Sequence, residues 1–311
     1  MNRAHVRLNP DTTRPKAPLK PGSTVLHVCA ALVVACVALL SARQLPDEPP
    51  KQFGSGITGA MEGWFENADG SYSFLVGYLN RNRSQELDVP IGPNNRIEPG
   101  GPDMGQPTHF LPGRQPGLFV VTVPKTFGRQ DRLLWTITIN GQTNTVPLHL
   151  VPDYIINPLE EAAVHNTPPV LHLFEANAPR IQGPIGQLST APSKTTAVAK
   201  PLPLTIWAED DAHYTNNSSI PLTRPRPPVT LLWTLYRGEG KVTFDKARPQ
   251  FETMKGGKVD EPYSGKATAT ATFTSPGDYV LHVLANDYSG TAGGGFLCCW
   301  TTALVKVSVT P

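Results

Sequence analysis

Five oxygen-bearing residues stand at the ends of two alternating runs. Glu209, Asp210 and Asp211 close the run Leu202–Ala208, and Asn286 and Asp287 close the run Tyr279–Ala285. If both runs are strands of one two-sheet sandwich, the loops that follow them can emerge at the same pole. Carboxylate and amide oxygens gathered there suit Ca²⁺, which takes six to eight hard oxygen ligands. A structural Ca²⁺ is the one cofactor the sequence suggests. The same residues have a second reading, because Asp and Asn also open turns by accepting hydrogen bonds from their own backbone. No spaced Asp-x-Asp-x-Asp loop decides between the two. His213, Tyr214 and Tyr288, with the Gly290–Gly295 loop, belong to the same pole. Aromatic and polar groups on loops over a rigid scaffold could bind a glycan or a protein; the alternative is an ordinary solvated loop cluster.

Other chemistry has little to stand on. The histidines at 109, 149, 165, 172, 213 and 282 show no paired-ligand spacing, and no Gly-x-Ser-x-Gly elbow, phosphate loop or dinucleotide fingerprint occurs. His109 lies in a Pro/Gly-rich excursion, where it could line a cleft or cap a turn. Cys298 and Cys299 could act as a redox switch or crosslink. Adjacent Cα atoms lie about 3.8 Å apart, short of the usual disulfide range, so a vicinal bridge would be strained, and the sequence leaves the redox state of the pair open. On an extended segment the two side chains point to opposite faces, one buried and one exposed.

The elements that must position these groups are β-strands. The chain of 311 residues holds 33 Pro and 27 Gly yet is 39% hydrophobic, a balance of many turns with enough apolar residues for a core. The closing segment sets the pattern. Ala267, Ala269, Ala271 and Phe273 alternate with Thr268, Thr270 and Thr272. Tyr279, Leu281, Val283 and Ala285 follow the Pro276-Gly277-Asp278 turn, and Val305, Val307 and Val309 end the chain. This period of two predicts half-buried antiparallel strands. Upstream, inward faces at Leu202/Leu204/Ile206/Ala208, Leu231/Trp233/Leu235 and Val242/Phe244, with Val170–Phe174, bring the count to about seven strands in a domain over 168–311. The Pro/Ser/Thr-rich stretch 178–200 reads as a loop.

A first β-sandwich domain is expected over 60–157. It has a hairpin about Asn67-Ala68-Asp69-Gly70, a strand at Gly117–Pro124, and the face Leu133/Trp135/Ile137/Ile139 turning at Asn140-Gly141, a strong hairpin signal. Pro90–Pro116 between them is too rich in Pro and Gly to continue a ladder, and reads as a long ordered excursion or a flap. Asn157-Pro158-Leu159-Glu160-Glu161 has the cap and first-turn residues of a short helix, placing a helical turn in a linker at 158–167.

Ahead of these, 19 nearly uninterrupted apolar or small residues, Thr24–Ala42, follow a leader whose charges are five basic and one acidic. Residues 1–42 read as a signal peptide or an N-terminal membrane anchor, with Cys36 in a permissive lipoprotein-like box as a third reading. All three export the rest of the chain, and residues 43–59 form a tether. The remaining 22 basic and 24 acidic residues give no basic face for nucleic acid. Contact with membrane is expected only through the N-terminal segment.

The pieces WAEDDA at 207–212, VTLLWTLYRGEGKVTF at 229–244 and ATATFTSPGDYVLHVLANDYSG at 269–290 resemble PKD-type and related immunoglobulin-like repeats of bacterial exported proteins. Those repeats run as a strand ending in Asp-Asp, a strand with a Trp, a Gly-x-Gly-x-Val-x-Phe turn, then Pro-Gly-x-Tyr and Ala-Asn-Asp. The resemblance covers roughly 168–310 and departs in the insert His213–Pro228, in Lys246–Lys266 and in the double cysteine. It implies an immunoglobulin-like fold and an extracytoplasmic setting, not an activity. The first domain resembles only uncharacterised bacterial exported proteins.

The sequence thus points to an all-β, exported, non-catalytic protein of two sandwich domains, with a structural, adhesion or ligand-binding role at the bacterial cell envelope and a protein or glycan as partner. The alternatives are a carbohydrate-binding accessory module using Trp207, Tyr214 or Tyr288 as stacking platforms, and a secreted hydrolase with acidic residues between the domains.

Overall fold

The computed structural model describes residues 51–311 apart from 163–164, 214–226, 257, 259–260 and 292–296. The expectations for residues 1–42, for the first part of the tether at 43–50, for Tyr214 and for most of the insert His213–Pro228 lie outside the described residues, as does the greater part of the Gly290–Gly295 loop.

In the N-terminal half, β1 (Ile57–Glu66), β2 (Tyr72–Asn80), β3 (Leu87–Asp88), β4 (Asn95–Glu98), β5 (His109–Phe110), β6 (Gly113–Val123), β7 (Leu133–Ile139) and β8 (Gln142–Leu148) follow in order. They form antiparallel sheets β1-β2-β6 and β4-β7-β8, with β3 paired to β5. Asn140 (φ 52°) and Gly141 (φ 71°) both adopt the left-handed conformation that a two-residue turn between β7 and β8 requires. Trp135 is the centre of this half, fully buried, with Phe119 edge-on at 5.2 Å.

The excursion between β3 and β6 is ordered, and two buried amides explain why. Asn95 donates Nδ2 to the carbonyls of Val89 (2.9 Å) and Pro107 (2.8 Å), while its Oδ1 accepts the indole N–H of Trp135 at 3.0 Å. Gln106 donates to the Pro102 carbonyl at 2.6 Å and accepts from the Met104 amide at 2.9 Å. Side chains supply the partners that a Pro/Gly-rich backbone cannot find in a ladder. Asn95→Ala leaves two carbonyls and a buried indole N–H without partners, and is expected to lower stability by about 3 kcal/mol in a urea titration. A loss within ~0.5 kcal/mol would mean that the amide organises nothing.

The C-terminal half comprises β9 (Val170–Leu173), β10 (Ile181–Gln182), β11 (Ser193–Ala197), β12 (Leu202–Asp210), β13 (Thr230–Arg237), β14 (Val242–Phe244), β15 (Glu252–Lys255), β16 (Tyr263–Phe273), β17 (Gly277–Asn286) and β18 (Trp300–Thr310). One sheet runs β10-β9-β12-β16-β14, with β15 also on β16, and the other runs β11-β18-β17-β13. The inward residues read from the alternation, among them Leu204, Ile206, Trp233, Ala269, Leu281, Val283 and Val305, form a single buried cluster between these sheets.

Several features differ from the sequence expectations. Residues 57–59 of the expected tether already belong to β1, with Ile57 fully buried, and Asn95–Glu98 within the 90–116 excursion does continue a ladder, as β4 paired to β7. Among the described residues the only helical segments are 3₁₀ turns at Pro152–Tyr154 and Leu188–Thr190. Asn157 accepts from Leu159 N at 3.4 Å, but the chain makes only a turn there, because no apolar face follows to hold a helix down. The stretch 178–200 contains β10 and β11, and β11 runs parallel to β18. The final sheet is not half-exposed. Tyr236, Val280 and Leu304, on its outer face, belong to the apolar cluster of the N-terminal half, and Trp300 packs with Phe65, Leu75, Val120 and Ile156.

A bulge in β13 between Leu235 and Arg237 helps make this junction. The Tyr236 carbonyl accepts from Thr108 N at 3.1 Å, its hydroxyl donates to the Gly105 carbonyl at 2.5 Å, and Arg237 grips Asp103 with two bonds at 2.8 and 2.9 Å. The 90–116 excursion is therefore a clasp on the C-terminal half. Opposite it, Gly117 (φ 52°) lies so close to the Trp300 indole that a Cβ would strike the ring.

Candidate functional site

The pole at the ends of β12 and β17 is assembled as strand order predicts, but its side chains divide by alternation. Glu209 is exposed and Asp210 is buried on the opposite face of β12; Asn286 is half-buried and accepts from Thr291 Oγ1 at 2.7 Å, whereas Asp287 is buried. The turn-forming reading is realised at three positions. Asp210 Oδ2 accepts from Ala212 N (3.0 Å), Asp211 Oδ1 from His213 N (3.0 Å) and Asp287 Oδ1 from Ser289 N (2.8 Å). Each is an Asx turn in which the carboxylate holds the amide two residues on.

The same carboxylates also fasten the segment joining the halves. Asp211 Oδ2 accepts from the amide and hydroxyl of Thr167 at 2.9 and 2.7 Å, and Asp287 Oδ2 accepts from Asn166 Nδ2 at 2.7 Å. Asn166, 1% exposed, was missed by sequence reasoning, since nothing local distinguishes it in a linker. Burial, with the neighbouring Asp287 and Asp211 charges, pushes the Asp210 carboxyl up to about 8. Burial raises Asp287 as well, opposed by its bonds to Ser289 and Asn166.

Tyr288 is not available as a surface platform: at 7% exposure it is part of the sandwich core, since the chain turns inward after Asp287. His213 is exposed at the edge of the described residues. Trp207 is half-buried on the outer face of β12 with Lys266 Nζ 5.3 Å from its ring centroid. Past the end of β12 a pocket of about 380 Å³ is lined by Thr167, Arg180, Glu209, Asp211, Lys255 and Tyr263, among others that include Asp210; Trp207 is not part of its lining. Among the described residues no three His, Cys, Asp or Glu side chains are placed to hold a metal by themselves.

Cys298 and Cys299 depart from expectation. Both are fully buried and joined as a disulfide, with Cα atoms 3.2 Å apart across a cis peptide. The alternation that would separate them does not apply, because the chain turns at Leu297 (φ 59°) and the strand starts only at Trp300. Cys299 Sγ lies 3.2 Å from the Asn166 carbonyl, so the disulfide backs the same joint. His109 is buried on β5, with Nδ1 2.7 Å from Asp88 Oδ1.

No family model and no curated protein matches the chain. Among solved structures, domains 4 and 5 of the S-layer protein SbsC align over 58% of this chain and 66% of theirs, at 10% identity and a TM-score of 0.23. A protein of unknown function from Porphyromonas gingivalis W83 aligns over 82% of this chain and 100% of its own, at 9% identity and a TM-score of 0.22.

Proposed function

We propose that this is an exported, non-catalytic β-sandwich protein of the bacterial cell envelope, serving as a rigid structural or ligand-presenting module. The observation that carries the reading is the shared core. Tyr236, Val280 and Leu304 of the C-terminal half are buried in the cluster built around Trp135, and the 90–116 clasp adds the Arg237–Asp103 pair. Two layers joined this way resist relative movement, which suits a module that holds a surface in place. Within the six- and four-stranded sheets, once β10, β15 and β11 are set aside, the orders β9-β12-β16-β14 and β18-β17-β13 match the four-on-three arrangement of an immunoglobulin constant-type sandwich, which supports the PKD/immunoglobulin-like reading of 168–311. The apolar run Thr24–Ala42 behind a basic leader supports export.

Labelling of intact cells with a membrane-impermeant amine reagent tests this. The full-length protein is expected to be modified without lysis in cells whose outer envelope is permeabilised; modification only after the cytoplasmic membrane is broken would reject the reading. A second reading, glycan binding, is favoured by the half-buried Trp207 on the outer face of β12, the strand whose Glu209 and Asp210 line the polar pocket. A glycan array without binding would remove it.

A further inference from the structure

The pole leaves two oxygens unaccounted for. Asn166 donates Nδ2 to Asp287 Oδ2, and its Oδ1 is buried and meets no donor among the described residues. Asp210, 7% exposed, uses Oδ2 in its Asx turn, and its Oδ1 is likewise buried and meets no donor among the described residues. Asp211 and Asp287 bring the pole to three carboxylates. Among the described residues no lysine or arginine lies within ion-pair distance of any of them, although Arg180 and Lys255 line the adjoining pocket.

Acceptor oxygens buried without donors cost about 1–3 kcal/mol each, more where the group is charged. A hard cation removes that cost, since it draws lone pairs from carboxylate, amide and carbonyl oxygens together. The donor set is all oxygen: the nearby cysteines are joined to each other. Asp210 and Asp287 supply two carboxylates, fewer than the three acidic, His or Cys side chains that would form a cage unaided, so a cation here would draw backbone and water oxygens to complete its shell. Such a mixed shell is characteristic of Ca²⁺, which tolerates irregular geometry, rather than of Mg²⁺.

We infer that Asp210, Asp287 and the Asn166 Oδ1 form a Ca²⁺ site that fastens the segment joining the two halves to the loop pole of the C-terminal sandwich. Glu209 and Asn286, on the opposite strand faces, are not ligands, and Asp211 serves by holding Thr167. The inference stands whatever the module presents at the envelope.

Terbium provides a direct probe. Tyr263 lines the same pocket as Asp210 and is the tyrosine placed to sensitise a bound lanthanide. Full-length protein stripped with chelator is expected to show saturable Tb³⁺ luminescence on tyrosine excitation, displaced by Ca²⁺ in the ~10⁻⁴–10⁻³ M range of extracellular modules. Asp210→Asn and Asn166→Leu should each weaken Ca²⁺ at least tenfold, and Glu209→Gln should leave it unchanged. Absence of saturable Tb³⁺ signal from the wild-type protein overturns the site whether or not the variants fold. So does Ca²⁺ affinity unchanged in both Asp210→Asn and Asn166→Leu. Failure of the envelope labelling would leave these titrations unaffected, so the two readings fail separately.

Discussion

Trp300→Ala is expected to remove about 3–5 kcal/mol of stability, the usual range for deleting a fully buried large aromatic side chain. The indole is 0% exposed and fills the space between β18 and the N-terminal half, against Phe65, Leu75, Val120 and Ile156. Its loss opens a cavity that β-sheets on both sides cannot collapse into, and removes the N–H that donates to the Gly117 carbonyl at 3.3 Å. Because Gly117 approaches the ring too closely for any Cβ, the pair is fitted as a unit. Urea unfolding of the variant beside Trp207→Ala makes the comparison, since Trp207 is half-exposed and should cost far less. A Trp300→Ala penalty below ~1 kcal/mol would show that the halves do not depend on each other.

Acidification should weaken the protein through His282. Its ring is buried at the same junction, stacked on Tyr236 at 6.0 Å, and burial alone pushes its pKa down to about 4. Above pH 6.5 the imidazole is neutral folded or unfolded and contributes no pH dependence. Below 6.5 the unfolded chain takes up a proton that the native one refuses until about 4, so stability falls as pH drops through that window. The full effect is roughly 3 kcal/mol, at about 1.4 kcal/mol per pH unit. His282→Leu isolates the imidazole. Its stability relative to wild type should rise steadily from pH 6.5 to 4, and parallel profiles would eliminate His282 as the acid sensor.

The inward faces of the C-terminal sandwich were legible because alternation records burial against a partner sheet, and Leu204, Trp233, Ala269 and Val283 all lie where it places them. The outer face of β17 was not. Val280, His282 and Leu284 read as the solvent side of a half-buried strand, yet a second layer covers them. A period of two says that two faces differ; it does not say that the poorer face is wet. The tolerance of that face for Val and Leu was the available signal.

At the pole, Asp210, Asp211 and Asp287 were found from residue type and strand ends alone. Chain order and alternation determined the all-β fold, the Asn140-Gly141 turn and which loops share the pole, because these depend on local geometry and on one buried face per strand. Only the tertiary structure decided that the 90–116 excursion is a clasp, that Asn166 joins the acidic pole, that Tyr288 turns inward and that Cys298 and Cys299 are bonded and buried. Each of those depends on contacts between segments distant in sequence or on a turn that breaks alternation, and no local pattern of residues encodes either.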